Sequence, residues 1–130
     1  MAHRMKIFLV LEDEPFIAMD LQYAFEDAGH EAVTAVDNDE AIACIESKPI
    51  AGAILDVSLG GGVTCQATAA RLARDGIPFI LHTGDLDRVG EHLREIDAPI
   101  ISKPRPAEDV VARLIDLIGQ PPSDRPVTTQ

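Results

Sequence analysis

The stretch Ala51-Gly52-Ala53-Ile54-Leu55-Asp56-Val57-Ser58 places an apolar run directly before a carboxylate, and Gly60-Gly61-Gly62 follows it closely. Small or β-prone apolar residues that run into turn glycines indicate a buried parallel strand whose last residue emerges at the carboxyl edge of a sheet. Ligands bind at that edge in open α/β sheets. Taken alone, an Asp at a strand end is more often a turn former than a nucleophile, so Asp56 needs converging partners.

Similar apolar segments recur on both sides of this stretch and alternate with helical patterns. The predicted strands are residues 7–11, 32–36, 51–55, 78–82 and 99–101. Apolar residues at helical spacing predict helices over 15–28, 38–47, 64–75 and 86–96, and a last helix that ends at Gly119. This alternation predicts an α/β fold with a doubly wound, five-stranded parallel sheet of strand order 2-1-3-4-5, as in flavodoxin-like (βα)5 proteins.

Composition limits the classes of partner and compartment. The 130 residues suit one domain, over residues 5–119, followed by a flexible Pro-containing tail over 120–130. A formal net charge of -11 disfavours binding to nucleic acid or to an anionic membrane. Cys44 and Cys65 lack the spacing of a zinc site, and the apolar run at 7–11 is too short for a signal peptide or a membrane span. We therefore expect a soluble, cytoplasmic protein.

Polar residues follow four of the predicted strands. Strand order 2-1-3-4-5 brings the ends of the first and third strands together, and with them Glu12, Asp13 and Asp56. Three crowded carboxylates repel one another unless a cation lies among them, and oxygen ligands without His or Cys suit Mg²⁺. Thr83 and Lys103, at the same edge, would supply a hydroxyl and an ammonium to a phosphoryl group on Asp56.

The motifs Leu11-Glu12-Asp13-Glu14-Pro15, Ile54-Leu55-Asp56-Val57, Thr83-Gly84 and Lys103-Pro104 together resemble those of a response-regulator receiver domain (CheY-like) of two-component signalling. The resemblance covers residues 5–119. It implies that Asp56 is the phosphoacceptor, that Asp13 binds Mg²⁺ directly, that Glu12 binds it mostly through water, and that Ser58 contributes its backbone carbonyl. It also implies that Thr83 and Lys103 bond the phosphoryl group, and that the bond before Pro104 is cis.

The same resemblance implies a signalling domain rather than an enzyme, with slow autodephosphorylation. A histidine kinase or a His-containing phosphotransfer protein would supply the phosphoryl group. A stand-alone receiver would signal to a downstream protein through the fourth helix, fifth strand and last helix. Val111 and Ile115 on that helix read as core, although an apolar excess there would suit a partner or a weak homodimer.

The chain departs from the family pattern in its switch region. Family members usually carry Tyr or Phe three residues before the Lys, and here that position is Ile100. Gly84 follows the Thr in place of the common Ala, and Gly60 to Gly62 replace a common Pro. We therefore expect an atypical switch that relies on backbone and fourth-helix rearrangement, for which Gly84 and Gly90 provide freedom.

Simpler interpretations exist for each residue. Glu12 to Glu14 could have no role beyond favouring a helix N-terminus. Thr83 could cap a helix, and Lys103 could be a solvated loop residue. Two other functions also remain: a receiver-like binding module that is never phosphorylated, and a phosphatase with an Asp nucleophile. The phosphatase is less favoured, because such enzymes resemble a DxDx(T/V) pattern and Ser58 stands where the second Asp would be.

Overall fold

Strands and helices alternate along the chain. The structure is a computed structural model that describes residues 4–84, 96 and 98–119. Its elements are β1 Ile7–Leu11, α1 Pro15–Asp27, β2 Glu31–Ala35, α2 Asn38–Ser47, β3 Ile50–Asp56, α3 Gln66–Arg74, β4 Phe79–Thr83, β5 Ile100–Ser102 and α4 Ala107–Ile118. Helix α4 is the last helix of the sequence prediction. The helix predicted over 86–96 and the tail over 120–130 lie outside the described residues, apart from Ile96.

The five strands form one parallel sheet in the order β2-β1-β3-β4-β5, which confirms the predicted doubly wound fold. β1 and β3 are central neighbours, and Leu11 lies beside Leu55. Asp56 lies opposite His82 of β4. This register brings the ends of β1, β3 and β4 to one edge of the sheet.

The sheet separates two apolar clusters because alternate strand residues point to opposite faces. One cluster joins Leu9, Leu55 and Leu81 to residues of α2 and α3, and the other joins Phe8, Ile54 and Ile80 to residues of α1 and α4. Phe8 stacks on Phe25 with ring centroids 4.6 Å apart. A strand buried on both faces reads as a continuous apolar run, which is the pattern of β1 and β3.

Local hydrogen bonds set the helix ends near the predicted positions. The Glu14 carboxylate accepts a hydrogen bond from the Ile17 N–H at 2.9 Å, and Pro15 occupies the first turn of α1. After α1, Gly29 has a φ of 87°, a conformation that glycine adopts at low cost. The Asp37 side chain caps α2. These are the capping roles that acidic and glycine residues commonly play.

Three strands are displaced by one residue from their predicted bounds. β2 ends at Ala35 because the Val36 N–H donates to Glu40 Oε1 at 3.0 Å and so joins the turn before α2. β4 extends to Thr83, whose carbonyl accepts a hydrogen bond from the Lys103 N–H at 2.7 Å. Pro99 contributes only its carbonyl, to Leu81, and β5 begins after it.

The buried face of α3 includes a polar residue. Ala73 is exposed, whereas Thr68 is fully buried. The Thr68 hydroxyl donates to Asn38 Oδ1 at 2.7 Å, and Asn38 Nδ2 donates to the Thr64 carbonyl at 2.9 Å. A side chain of α2 therefore satisfies the buried hydroxyl of α3. This pairing depends on tertiary contact between two helices, which spacing along the sequence does not reveal.

Candidate functional site

The structure brings the predicted site residues to the carboxyl edge of the sheet. They are Glu12 and Asp13 after β1, Asp56 and Ser58 at and after the end of β3, Thr83 at the end of β4, and Lys103 after β5. Glu12, Asp56 and Thr83 are buried, whereas Asp13 and Ser58 are exposed. The interpretation that Glu12 to Glu14 merely favour a helix N-terminus holds for Glu14, which caps α1. It does not hold for Glu12, whose side chain is only 2% exposed.

Lys103 joins the two buried carboxylates. Its Nζ lies 3.0 Å from Glu12 Oε1 and 3.5 Å from Asp56 Oδ1. The Lys103 side chain is 19% exposed, so these ion pairs are shielded from most of the solvent. A buried carboxylate without a cationic partner is strongly destabilising. Lys103 is therefore part of the site and is not a solvated loop residue.

The carboxyl group of Asp56 is protonated more readily than an ordinary Asp. Burial, the largest cause, and the neighbouring Glu12 side chain together raise the pKa of Asp56 from 3.8 to about 7. Lys103 and the Ser58 N–H, which donates to Asp56 Oδ1 at 3.3 Å, lower the pKa but do not offset the burial. The single ammonium of Lys103 therefore does not compensate the negative charges of Glu12 and Asp56.

Three carboxylates lie close together at this edge of the sheet. One oxygen of each lies within 4.8 Å of one oxygen of the other two, and the residues are Glu12, Asp13 and Asp56. The set contains oxygen donors only, and one member, Asp13, is open to solvent. Mg²⁺ prefers such ligands and keeps several waters. The residues therefore fit Mg²⁺, and the raised pKa of Asp56 shows that another positive charge would be favourable.

Thr83 and Ser58 flank Asp56. Thr83 follows His82, which lies opposite Asp56 in the sheet, and its side chain is buried. Ser58 forms an isolated antiparallel bridge with Thr64. The bridge closes the loop that contains the three glycines.

This glycine loop is built from residues that adopt positive φ. Gly60, Gly61 and Gly62 have φ values of 87°, 60° and 79°. A Cβ on Gly60 would lie 3.5 Å from Asp13 Oδ2, and nothing lies within 4 Å of the Cβ positions of the other two. Gly60 thus lies beside the Asp13 carboxylate without a side chain of its own.

Two of the switch-region residues that depart from the family pattern, Ile100 and Gly84, are among the described residues. Ile100 opens β5, is partly buried, and packs against the cluster on the α2 and α3 face. Gly84 follows Thr83, and a Cβ there would meet nothing within 4 Å. Gly90 lies outside the described residues. The Lys103-Pro104 bond is cis, as the resemblance implied.

The histidines and cysteines contain one feature that the sequence did not indicate. His30 is partly buried, and its Nδ1 accepts a hydrogen bond from the Lys6 N–H at 3.1 Å. Cys44 and Cys65 are free, and burial raises the pKa of Cys65 to about 12. His82 is buried, and neither ring nitrogen has a hydrogen-bond partner among the described residues. A single His in an apolar strand gives no sign of its partners.

Among the described helices, none has the length and apolar composition that crossing a membrane requires.

The chain is similar in sequence and in fold to known regulatory proteins. No family model matches the chain. The chain is 29% identical over 127 residues to the transcriptional regulatory protein TcrA of Mycobacterium tuberculosis, an alignment that covers 94% of this chain and 49% of TcrA. The chain therefore spans about half the length of the curated relative that it matches.

Two solved structures share the fold. SdrG from Sphingomonas melonis Fr1 is 36% identical, with a TM-score of 0.74, and the match covers 92% of this chain and 100% of SdrG. A response regulator receiver domain (CheY-like) from Methylobacillus flagellatus is 16% identical, with a TM-score of 0.75, and the match covers 88% of this chain and 99% of that domain. At 16% identity the second match supports the fold alone.

Proposed function

This chain belongs to the CheY-like response-regulator receiver domains, and we propose that it is a phosphoacceptor. In this proposal Asp56 receives a phosphoryl group, in a Mg²⁺-dependent reaction, from a histidine kinase or a His-containing phosphotransfer protein. The protein then signals through altered contacts with other proteins.

The observation that supports this proposal best is the position of the Lys103 ammonium between Glu12 and Asp56. Isolated acidic residues occur at many helix N-termini. Here two of them are buried, share one cation and lie near a third, exposed carboxylate. A site of this kind concentrates negative charge that a metal cation would neutralise before a phosphoryl group arrives.

Glu12, Asp13 and Asp56 would hold Mg²⁺ together with the Ser58 carbonyl. When bound, the metal would supply positive charge for the phosphoryl oxygens and would keep Asp56 ionised at neutral pH. Counting formal charges, the three carboxylates, the metal and Lys103 sum to zero, so an incoming phosphoryl group meets no net repulsion.

In this proposal the phosphoryl transfer uses three side chains of this chain, those of Asp56, Lys103 and Thr83. An Asp56 oxygen attacks phosphorus while the bond from phosphorus to the donor nitrogen breaks, and the imidazole of the donor leaves with that electron pair. The product is an acyl phosphate on Asp56. Lys103 loses its contact with the Asp56 carboxylate and can pair with the phosphoryl oxygens, and the Thr83 hydroxyl donates to another of them.

We propose that this chain acts as a signalling domain, with hydrolysis of the acyl phosphate as a slow side reaction. Its receiver domain would occupy residues 5–119, followed by a tail over 120–130. The output surface would comprise residues 86–96, β5 and α4. On α4, Val111 belongs to the core, which leaves the partly buried Ile115 for a partner or a weak homodimer. Two free cysteines suit a reducing cytoplasm.

Intact-mass spectrometry after incubation with acetyl phosphate and Mg²⁺ tests the proposal. The wild-type protein should gain one phosphoryl mass, and removal of Mg²⁺ with EDTA should prevent the gain. The variant Asp56→Asn should gain none. Asp75→Asn is a matched control, because Asp75 is a surface residue paired with Arg71, and it should be phosphorylated like the wild type.

Two outcomes would contradict the proposal. A wild-type protein that binds Mg²⁺ but gains no phosphoryl mass, either from acetyl phosphate or from phosphorylated kinases, would favour the non-phosphorylated binding module. A phosphoryl group that remains on Asp56→Asn would place the acceptor elsewhere.

A further inference from the structure

A surface groove runs between α1 and α4, on the side of the sheet that these two helices cover. Two adjoining stretches of it have volumes of about 350 and 440 Å³. About 150 Å³ is enough to hold one benzene ring, so the groove has room for several side chains of a partner. None of the residues of the candidate phosphoryl site lines either stretch. The groove is therefore a separate surface from that site.

The floor of the groove is apolar and built largely from small side chains. Val111 is buried and Ile115 is partly buried, and the alanines beside them are Ala24, Ala28 and Ala112. The distance between packed helices depends on the side chains at the contact, so alanines let a third helix approach closely. An extended segment would need an exposed strand edge for its backbone groups, whereas a helix satisfies its own. The floor therefore favours a helix as its occupant.

Four carboxylates line the groove without a cation. They are Asp20 and Asp27 on α1 and Glu108 and Asp116 on α4, and all four are exposed. None of them forms an ion pair within the described part of the chain, and no described Lys, Arg or His lines either stretch. On each helix the two acids lie about two turns apart. A helix with basic residues at the same spacing would complement them.

An exposed aromatic residue stands on the α1 wall of the groove. Tyr23 lies between Asp20 and Asp27 in sequence and is 54% exposed. Tyr is enriched among the residues that carry binding energy at protein interfaces, and its ring face attracts cations. Phe16 and Met19 continue an exposed apolar stripe along α1 at helical spacing. The contact surface thus extends beyond the floor of the groove.

We propose that this groove binds an amphipathic helix of a partner protein that carries Lys or Arg on both borders of its apolar face. The apolar face would cover Val111 and Ile115, and the basic residues would pair with the four carboxylates. The proposal does not depend on phosphorylation of Asp56, because no residue of that site takes part. An acidic partner, or a second copy of this chain with its net charge of -11, would be repelled.

Titration of the isotope-labelled full chain with a synthetic peptide, followed by NMR, tests the proposal. The peptide forms a helix of about 18 residues, or about five turns, with Leu on one face and Lys on both borders of that face. Resonances of Tyr23, Ala112 and Ile115 should shift together and saturate. The same peptide with Glu in place of every Lys should cause no such shifts.

Two double variants of equal net charge separate the groove from the overall negative charge of the protein. Asp27→Asn with Glu108→Gln should lower the affinity for the Lys peptide about tenfold, through the loss of two ion pairs at the border of an interface. Glu31→Gln with Asp39→Asn removes the same charge at exposed positions on β2 and α2. This matched control should bind the peptide as the wild type does.

A second pair of variants tests the shape of the groove. Ala112→Phe should weaken binding because it fills the groove, whereas Ala43→Phe, the same change at an exposed position of α2, should not. Equal losses in the two double variants would overturn the proposal, because binding would then follow the overall charge. Shifts that never saturate, shifts away from α1 and α4, or equal affinity for the Glu peptide would also overturn it. Concentration-dependent shifts of the groove residues without peptide would identify a second copy of the chain as the occupant and would overturn it too.

Discussion

Replacing the central carboxylate with a neutral amide should make the metal-free protein more stable. Asp56 is buried beside Glu12, so ionising it in the folded state is costly, whereas in the unfolded chain it ionises freely in water. In Asp56→Asn the side chain keeps an oxygen for the Ser58 N–H but carries no charge. The folded state of the variant no longer bears this cost.

The pKa of Asp56 gives the size and the pH window of the effect. Each pKa unit corresponds to about 1.4 kcal/mol, so a rise from 3.8 to about 7 corresponds to an upper value of about 4 kcal/mol. Below pH 3.8 both states hold the proton and nothing is lost. Between pH 3.8 and about 7 the unfolded chain has released its proton while the folded chain keeps it, so wild-type stability falls as pH rises. Above pH 7 the cost is constant.

Urea unfolding in EDTA, repeated across this pH range, measures the effect. We expect Asp56→Asn to exceed the wild type by about 2 to 4 kcal/mol near pH 8, and by about two fifths of that near pH 5. Asp75→Asn provides a control of opposite sign, because Arg71 lowers the pKa of Asp75 and the charge is favourable there. An equal or lower stability of Asp56→Asn near pH 8 would refute the reasoning, as would a gain that does not shrink toward pH 5.

Three further predictions concern the metal, the ammonium and the core. At ten times its dissociation constant, Mg²⁺ should raise wild-type stability in urea unfolding by about 1.4 kcal/mol. Asp13→Asn should need more Mg²⁺ for the same gain, and an unchanged titration would remove Asp13 from the ligands. Lys103→Met should cost about 3 kcal/mol near pH 8, because it leaves the buried Glu12 without its cation, and an unchanged urea midpoint would contradict this. Gly52→Ala should cost about 1 to 3 kcal/mol, since the new Cβ would lie 3.3 Å from Phe8 Cε1, and an unchanged urea midpoint would show that the sheet yields there.

The fold could be predicted because the central strands β1 and β3 are apolar on both faces. Such runs require cover on both sides, and helical patterns between them supply it. The convergence of Glu12, Asp13 and Asp56 followed from topology, because strand order 2-1-3-4-5 allows only one pair of central neighbours at the switch point. Side-chain geometry was not needed for that step.

What could not be predicted depends on contacts between distant elements. The buried Glu12 carboxylate forms an ion pair with Lys103, which lies 91 positions away in the sequence. The buried Thr68 hydroxyl likewise bonds to a distant residue, Asn38, which belongs to another helix. His82 is the clearest case, since an apolar strand with one His is compatible with a paired core residue as well as with an unpaired one. Its surroundings come from α1 and from the loop after β5, which have no local signature in common.

The glycine loop after β3 also has a consequence for which phosphoryl donors can reach the site. Gly60 lies beside the exposed Asp13, and the three glycines present no side chain to an approaching molecule. A bulky imidazole donor on a protein surface and a small metabolite such as acetyl phosphate would meet the same absence of side chains on this side of Asp13. Donor choice would then rest on surface contacts made elsewhere on the domain, and a loop substituted with larger residues should discriminate by size.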